Sequence, residues 1–350
     1  MKDITIHTDI TIRQAMKILD RTAEKCLLVI DENNKLLGTL TDGDLRRSIL
    51  SGESFTKDIS SSYNTNPAVF IKNKFNIDEA KQLLRERKLD LIPIVDQNNK
   101  VLDYITWLSL SGESISKQSL MDVPVVIMAG GKGTRLGPFT KILPKPLVPI
   151  DEKPIIEHII KHFTDVGCTN FYMTLNYKGR ILKAYFEELQ PDYGIHFVEE
   201  EEPLGTSGSL RLLDGPFSQP FFVTNCDIII KTDYRSLYKF HQEGGYSITL
   251  VASAKDYVIP YGTCQLDDDG HLSHINEKPQ YDFLINTGLY VLDPDVLKII
   301  PENKYYDMTH LIEDSKNMGK KVGVFPIDDE SWVDVGQWAD YNKFVENLNK

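Results

Sequence analysis

The sequence predicts two folded parts: an α+β tandem repeat over residues 1–118, then an α/β domain with a mixed central sheet over residues 121–350. Three observations predict this. Residues 11–45 align with residues 76–110 without a gap, an internal repeat at an offset of 65. Residues 123–128 (VPVVIM) form a short apolar run that ends in Ala129-Gly130-Gly131, the pattern of a buried strand emptying into a glycine-rich loop. With 350 residues, 41% hydrophobic and 26% charged, the chain has room for two ordinary cores.

The repeat explains the first part element by element. Ile12, Ala15, Met16 and Leu19 recur at helical spacing, and Ile77, Ala80, Leu83 and Leu84 do so in the second copy. Each set precedes a β run, residues 27–30 or 91–95, then an Asp-x-Asn-Asn-Lys turn at 31–35 or 96–100, then a second strand. Each copy therefore reads helix, strand, turn, strand, with the copies spanning residues 1–60 and 61–118. This pattern resembles a pair of CBS domains. That family ends its second strand in Gly-x-x-Thr-x-x-Asp, matched by Gly38, Thr41 and Asp44, and the resemblance implies that Thr41 and Asp44 hold the phosphate and ribose of an adenine nucleotide. In the second copy Thr106 remains, but Asp103 replaces the glycine, Ser109 stands in the aspartate's place and Trp107 lies between. The resemblance implies either a regulatory nucleotide site or a dimerisation module, and a homo-oligomer, dimer or tetramer. Residues 111–117 (SGESISK) are polar and without periodicity, and read as a linker.

The glycine-rich loop narrows the chemistry of the second part. Backbone N–H groups in such a loop can approach phosphate closely. A dinucleotide fingerprint needs Gly-x-Gly-x-x-Gly opening into a helix, whereas here the order is Gly131-x-Gly133-x-x-x-Gly137 with Pro138 next. A Walker A loop needs Gly-Lys-Ser/Thr, whereas Gly131-Lys132 is followed by Gly133. The stretch over residues 130–147, GGKGTRLGPFTKILPKPL, closely resembles the signature of the sugar-nucleotide pyrophosphorylases, or sugar-1-phosphate nucleotidylyltransferases. The resemblance implies a Rossmann-like nucleotidyltransferase domain. It also implies that Ala129, Gly130, Gly131, Gly133 and Thr134 wrap a nucleoside triphosphate, that Arg135 balances the leaving pyrophosphate, and that Lys145 contacts the α-phosphate.

Attack on an α-phosphate calls for magnesium, which prefers carboxylate oxygens. Asp227 stands in the apolar stretch FFVTNCDIII, read as one strand, a poor place for a carboxylate that coordinates nothing. Asp334 in SWVDVGQW matches the family's Trp-x-Asp-x-Gly, and the resemblance makes it the second metal ligand. Residues 199–210 (EEEEPLGTSGSL) resemble the family's Pro-Leu-Gly-Thr motif, so Gly205 and Thr206 line the base and sugar; Thr206, Ser207 and Ser209 also suit a helix start. The resemblance assigns Glu277 and Lys278 to the sugar hydroxyls and the sugar phosphate, Asn286 and Thr287 to a sugar-binding strand, and Tyr261-Gly262 to closure over the sugar. Asn176 stands where a base edge could be read, and an asparagine serves purine or pyrimidine.

Composition excludes other classes. A net charge of −12 argues against a broad nucleic-acid footprint. Cys26, Cys168, Cys226 and Cys264 are scattered without a Cys-x-x-Cys pair, and His158 and His162 have no third ligand nearby, so neither zinc nor a disulfide framework is expected. No basic and apolar leader opens the sequence and no apolar run spans a membrane, so a cytoplasmic location is expected. The expected partners are a nucleoside triphosphate and a sugar 1-phosphate. A CBS pair fused to this domain resembles bacterial enzymes that make GDP-glucosamine for legionaminic acid, which favours GTP and glucosamine 1-phosphate; CDP-, UDP- and dTDP-forming relatives, the GDP-mannose or GDP-heptose type, and a sugar-nucleotide sensor without turnover stay open.

Overall fold

The apolar stripes of the repeat become the buried faces of its helices. In the computed structural model, which describes residues 4–22, 24–106, 109, 121–137, 139–213, 217–337 and 341, the helix Ile12–Thr22 buries Ile12, Ala15, Met16 and Leu19. The helix Ile77–Glu86 buries Ala80 and Leu84, with Leu83 packed alongside. Ile77, expected on the same stripe, is exposed as the first residue after the Asn76 cap. The expected linker at 111–117, Trp107 and Pro138 lie outside the described residues.

Each helix leads into an antiparallel pair, Cys26–Ile30 with Leu36–Thr41 and Leu91–Val95 with Val101–Thr106. The aspartate of each turn explains its tightness: Asp31 Oδ1 accepts from the N–H groups of Asn33 and Lys35, and Asp96 Oδ1 from those of Asn98 and Lys100. The asparagine that follows, Asn34 or Asn99, takes a left-handed conformation that this residue type tolerates. The same turn joins the copies, since Leu36 N donates to Asn99 O at 2.9 Å and Asn99 Nδ2 donates to Leu36 O at 2.8 Å. The repeat also reaches beyond the aligned segment. Thr5–Ile6 and Phe70–Ile71, again 65 residues apart, each add a short parallel strand to their own copy.

Thr41 and Asp44 close a capping box on the helix Asp42–Leu50: Thr41 Oγ1 accepts from Asp44 N at 3.2 Å, and Asp44 Oδ2 accepts from Thr41 N at 2.8 Å. The second copy keeps this reciprocity without the charge, with Thr106 Oγ1 accepting from Ser109 N at 3.2 Å and Ser109 Oγ accepting from Thr106 N at 3.0 Å.

The second part is built on a seven-stranded sheet in the order Gly194–Glu199, Asn170–Leu175, Val125–Met128, Phe221–Asn225, Gln280–Leu292, Ile248–Val258, Val322–Asp328. The first four are parallel and Gln280–Leu292 runs antiparallel to Phe221–Asn225, which makes the sheet mixed. Strands buried on both faces read as continuous apolar runs. Alternation then divides one run between two cores: Val125 and Ile127 pack with Ile156, Phe171 and Phe222, whereas Val126 and Met128 pack with Leu210, Phe221 and Val223. The chain divides into two compact units, residues 1–118 with 254–284, and residues 119–253 with 285–350. Among the described residues, no helix is long and apolar enough to cross a membrane.

Phe222 is fully buried and its ring packs against Phe163 and Tyr234 at centroid distances of 5.5 and 5.8 Å. Phe222→Ala should cost about 3–5 kcal/mol of stability, read as a lowered urea midpoint at unchanged slope.

Candidate active site

The apolar stretch around Asp227, expected as one strand, is two. Phe221–Asn225 belongs to the large sheet, the chain turns at Cys226 and Asp227, and Ile228–Ile230 leaves to pair antiparallel with Trp332–Asp334. The physical reason is the carboxylate: inside a doubly covered sheet it would lack partners, and the turn gives it some. Ile228 then stands opposite Asp334, and Val335 N donates to Asp227 O at 3.0 Å, so two aspartates more than a hundred residues apart become neighbours.

Two short 3-10 turns supply the cations. Lys145 opens the turn Lys145–Leu147 behind Pro144, is buried, and donates through Nζ to Asp227 Oδ2. Arg135 lies in the turn Thr134–Leu136; its Nη2 is 3.9 Å from Asp227 Oδ2 and its Nη1 is 3.9 Å from Asp334 Oδ2, with the side chain 61% exposed. Gly133 positions both turns. It sits at φ 63°, and a Cβ there would stand 2.8 Å from Lys145 Cβ, so a side chain would push the lysine aside. Gly336 performs the matching task on the far side: a Cβ would overlap Asp227 Oδ2 and stand 2.9 Å from both Asp334 Oδ1 and Lys145 Nζ. Its N–H donates to Asp334 Oδ1 at 2.9 Å, while Gln337 Nε2 donates to Asp334 Oδ2 at 3.0 Å.

Asp227 Oδ2 and Asp334 Oδ1 both face Gly336, with Lys145 Nζ beside them, and carboxylate oxygens are the donors a hard divalent cation such as magnesium prefers. Among the described residues no group of three or more His, Cys, Asp and Glu side chains is arranged for a metal. His158 Nε2 instead meets Ile150 O at 3.1 Å, and burial lowers the pKa of His162. Cys226, beside Asp227, is buried, and burial first, then the Asp227 carboxylate, push its thiol up to about 12.

Two of the expected nucleotide contacts, Gly130 and Asn176, meet a residue the sequence reading passed over, Glu200. Gly130 faces Glu200, since a Cβ on Gly130 would stand 2.6 Å from Glu200 Oε1 and 3.5 Å from Asn176 Cβ. Asn176 Nδ2 donates to Glu200 O at 2.9 Å, and Glu200 Oε2 accepts from Leu204 N at 3.1 Å. Within a run of four glutamates that reads as solvated, Glu200 alone is buried, and burial raises its pKa. The available signal was its place between the end of strand Gly194–Glu199 and the Pro203-Leu204-Gly205-Thr206 motif. Ala129 N donates to Thr174 O at 3.0 Å, while nothing stands within 4 Å of where a Cβ on Gly131 would lie.

Thr206 differs from its expected use as a local cap. The four-residue helix Gly205–Gly208 has no side-chain cap; Thr206 Oγ1 accepts instead from Met308 N at 2.8 Å, and Ser207 Oγ donates to Tyr306 O at 3.1 Å. The loop turns away from its own helix because its glycines lie against the backbone of residues 304–306. The expected sugar contacts divide between the units. Tyr261, Gly262, Glu277 and Lys278 belong to the first, where Tyr261 is 74% exposed and Gly262 lies against Glu277. Asn286 and Thr287 belong to the second, Asn286 Nδ2 donating to Tyr290 Oη at 2.8 Å and buried Thr287 donating to Val251 O at 2.9 Å.

The family described as nucleotidyl transferase matches residues 124–350. The chain belongs to the nucleotidyl transferase family. Residues 1–51 and 57–112 also match the CBS domain. A mannose-1-phosphate guanyltransferase of Pichia angusta is 36% identical over 226 residues, covering 62% of this chain and 61% of that one. The protein of the same name from Saccharomyces cerevisiae is 33% identical over 230 residues, covering 62% of each. The chain thus spans about three fifths of the length of these curated relatives. The crystal structure of HddC from Yersinia pseudotuberculosis superposes with a TM-score of 0.52 at 27% identity, over 65% of this chain and 99% of that one. The structure of HddC complexed with GMP-PN gives 0.51 at 26%, over the same shares. The fold is the Rossmann-like nucleotidyltransferase fold with a mixed sheet, together with a CBS pair.

Burial decides which thiols react. Cys26, Cys168 and Cys226 are buried, with thiols each pushed up to about 12 by burial, whereas Cys264 is exposed. A thiol-specific dye at neutral pH should label Cys264 alone in the folded protein and all four cysteines in guanidinium; rapid native labelling of Cys226 would contradict the closed turn beside Asp227.

Proposed function

We propose that this chain transfers GMP from GTP to a sugar 1-phosphate, releasing pyrophosphate. The observation that carries the reading is the meeting of Arg135, Lys145, Asp227 and Asp334 behind a glycine-rich loop. A phosphate oxygen of the sugar 1-phosphate forms the new bond to the α-phosphorus, and the bond from that phosphorus to the oxygen bridging to the β-phosphate breaks. The electron pair leaves with pyrophosphate. Nothing in this exchange requires a protein nucleophile, so the work left to the protein is positioning and charge neutralisation. Lys145 contacts the α-phosphate, and Arg135, the exposed and adaptable cation, follows the charge onto the leaving pyrophosphate. Asp227 and Asp334 would hold magnesium, which supplies further neutralisation of the phosphate oxygens when bound. Glu277 and Lys278 take the sugar hydroxyls and sugar phosphate.

Glu200 supports guanine as the base. Its buried carboxylate lies against Gly130 and Asn176 of the expected nucleotide contacts. A carboxylate has acceptor sites to spare beyond the Leu204 N–H, and guanine presents two adjacent donors on one edge, N1–H and the exocyclic amine. The acceptor sugar we assign is glucosamine 1-phosphate, on the resemblance of the fused CBS pair to GDP-glucosamine-forming enzymes. Mannose 1-phosphate is the second reading, favoured by the names of the relatives.

The test is pyrophosphate release with magnesium, crossing GTP, CTP, UTP, dTTP and ATP against glucosamine, N-acetylglucosamine, glucose and mannose 1-phosphates. Release confined to GTP with glucosamine 1-phosphate is expected, and Asp227→Asn should lower kcat by about 10²–10³, the order seen when one charge-stabilising group is removed from an active site. Undiminished magnesium-dependent turnover by Asp227→Asn would sink the reading. For the base, Glu200→Gln should lower kcat/KM for GTP by roughly 10–100-fold, the worth of a charged hydrogen bond, and should erase any preference for GTP over ITP, which lacks the exocyclic amine. An unchanged GTP-to-ITP ratio would remove Glu200 from base recognition.

A further inference from the structure

Arg13 is the second residue of the first repeat's helix, yet its side chain is only 14% exposed and it reaches the segment 254–284 of the same compact unit. Nη1 lies 2.9 Å from Asp256 Oδ1 and donates to Ala254 O at 3.2 Å. Nη2 lies 3.6 Å from Asp282 Oδ1, and the guanidinium stands 5.4 Å above the centre of the Phe55 ring. Ser54 Oγ donates to the other oxygen of Asp282 at 2.5 Å. The corner that presents these groups is itself tied down, because Ile12 N donates to Lys57 O at 2.9 Å and Arg13 N to Phe55 O at 3.1 Å.

The two aspartates stand on neighbouring strands, Asp256 on Ile248–Val258 and Asp282 on Gln280–Leu292. Asp256 lies five residues before Tyr261, and Asp282 lies four residues after Lys278. Between them the chain forms the ribbon Thr263–Leu266 paired with Leu272–Asn276, most of whose residues are exposed. A lone two-stranded ribbon is marginally stable in water. The direction of Tyr261, Glu277 and Lys278 therefore depends on how firmly the ribbon's base is held.

We propose that Arg13 is a positioning residue for the sugar 1-phosphate: it bridges Asp256 and Asp282 at the base of the ribbon and so fixes the angle at which Tyr261, Glu277 and Lys278 meet the substrate. This rests on the reading of those three residues as sugar contacts. Displacing contacts by about 1 Å from a remote site can cost up to about a hundredfold in rate, so the clamp acts without touching substrate.

The experiment uses the full chain with Arg13→Met, which keeps a long side chain over Phe55 and removes the charge. Hydrogen exchange should rise across residues 254–284 and stay unchanged in the rest of residues 5–106. KM for the sugar 1-phosphate should rise roughly tenfold while KM for GTP stays within about twofold, the split expected when binding of one substrate alone is weakened. If Arg13→Met folds poorly, Ser54→Ala removes one hydrogen bond from the same clamp and should shift both readouts the same way by less. Lys278→Ala, measured in parallel, checks the underlying reading by raising KM for the sugar. If Lys278→Ala raises that KM but Arg13→Met moves neither exchange nor KM, there is no clamp. A rise in exchange without a rise in sugar KM, or an equal rise in both KM values, would overturn the positioning role. A silent Lys278→Ala would mean that the ribbon does not carry the sugar, and the proposal would fall with it.

Discussion

One buried ion pair constrains the site more than any other contact. Asp227 and Lys145 each expose 9% of their side chain, and Cys226, Ile228 and Leu147, close to them in sequence, are buried as well. Taking either charge away would strand its partner, which typically costs about 3–5 kcal/mol. Much of the local backbone follows from meeting that condition. The central strand breaks at Cys226 so that the carboxylate can leave the sheet, Gly133 lets the loop lie flat on the lysine stem, and Gly336 keeps the opposite side clear. Arg135, 61% exposed and 3.9 Å from Asp227, is the cation of this cluster that solvent reaches.

The same economy shows in the repeat. Thr41 and Asp44, the pair that a nucleotide's phosphate and ribose would engage, already satisfy one another as a capping box. A ligand there must offer hydrogen bonds at least as good as those it replaces. The second copy closes with Thr106 and Ser109, so the turn survives the loss of the aspartate whereas its negative charge does not. Here the Thr-x-x-Asp pattern of residues 41–44 marks a helix start, and it marks a ligand site only where something further completes it.

What the sequence revealed was what is local or periodic. Helix stripes, the paired Asp-x-Asn-Asn-Lys turns and the glycine-rich loop each lie within a window of some twenty residues, and the structure places them as read except for Ile77, which is exposed. Long-range exchanges left no such trace. Thr206 looked like the start of its own helix because nothing nearby signals that it caps Met308, about a hundred residues on. Glu200 was hidden by three exposed glutamates around it, since a charge run gives no hint that one member points inward. The break at Cys226 was invisible because residues 221–223 and 228–230 are equally apolar, and nothing near Arg13 in sequence signals its two aspartate partners more than 240 residues on.

The division into units has a consequence for how the chain is made. The first unit is not contiguous: its last piece, residues 254–284, follows 135 residues that belong to the second. At a synthesis rate of about 5–20 residues per second, the repeat waits on the order of 10–30 s after its own last residue before Asp256 and Asp282 leave the ribosome. Until then Arg13 lacks both of the carboxylates it meets in the folded chain, and Ser54 lacks its Asp282 partner.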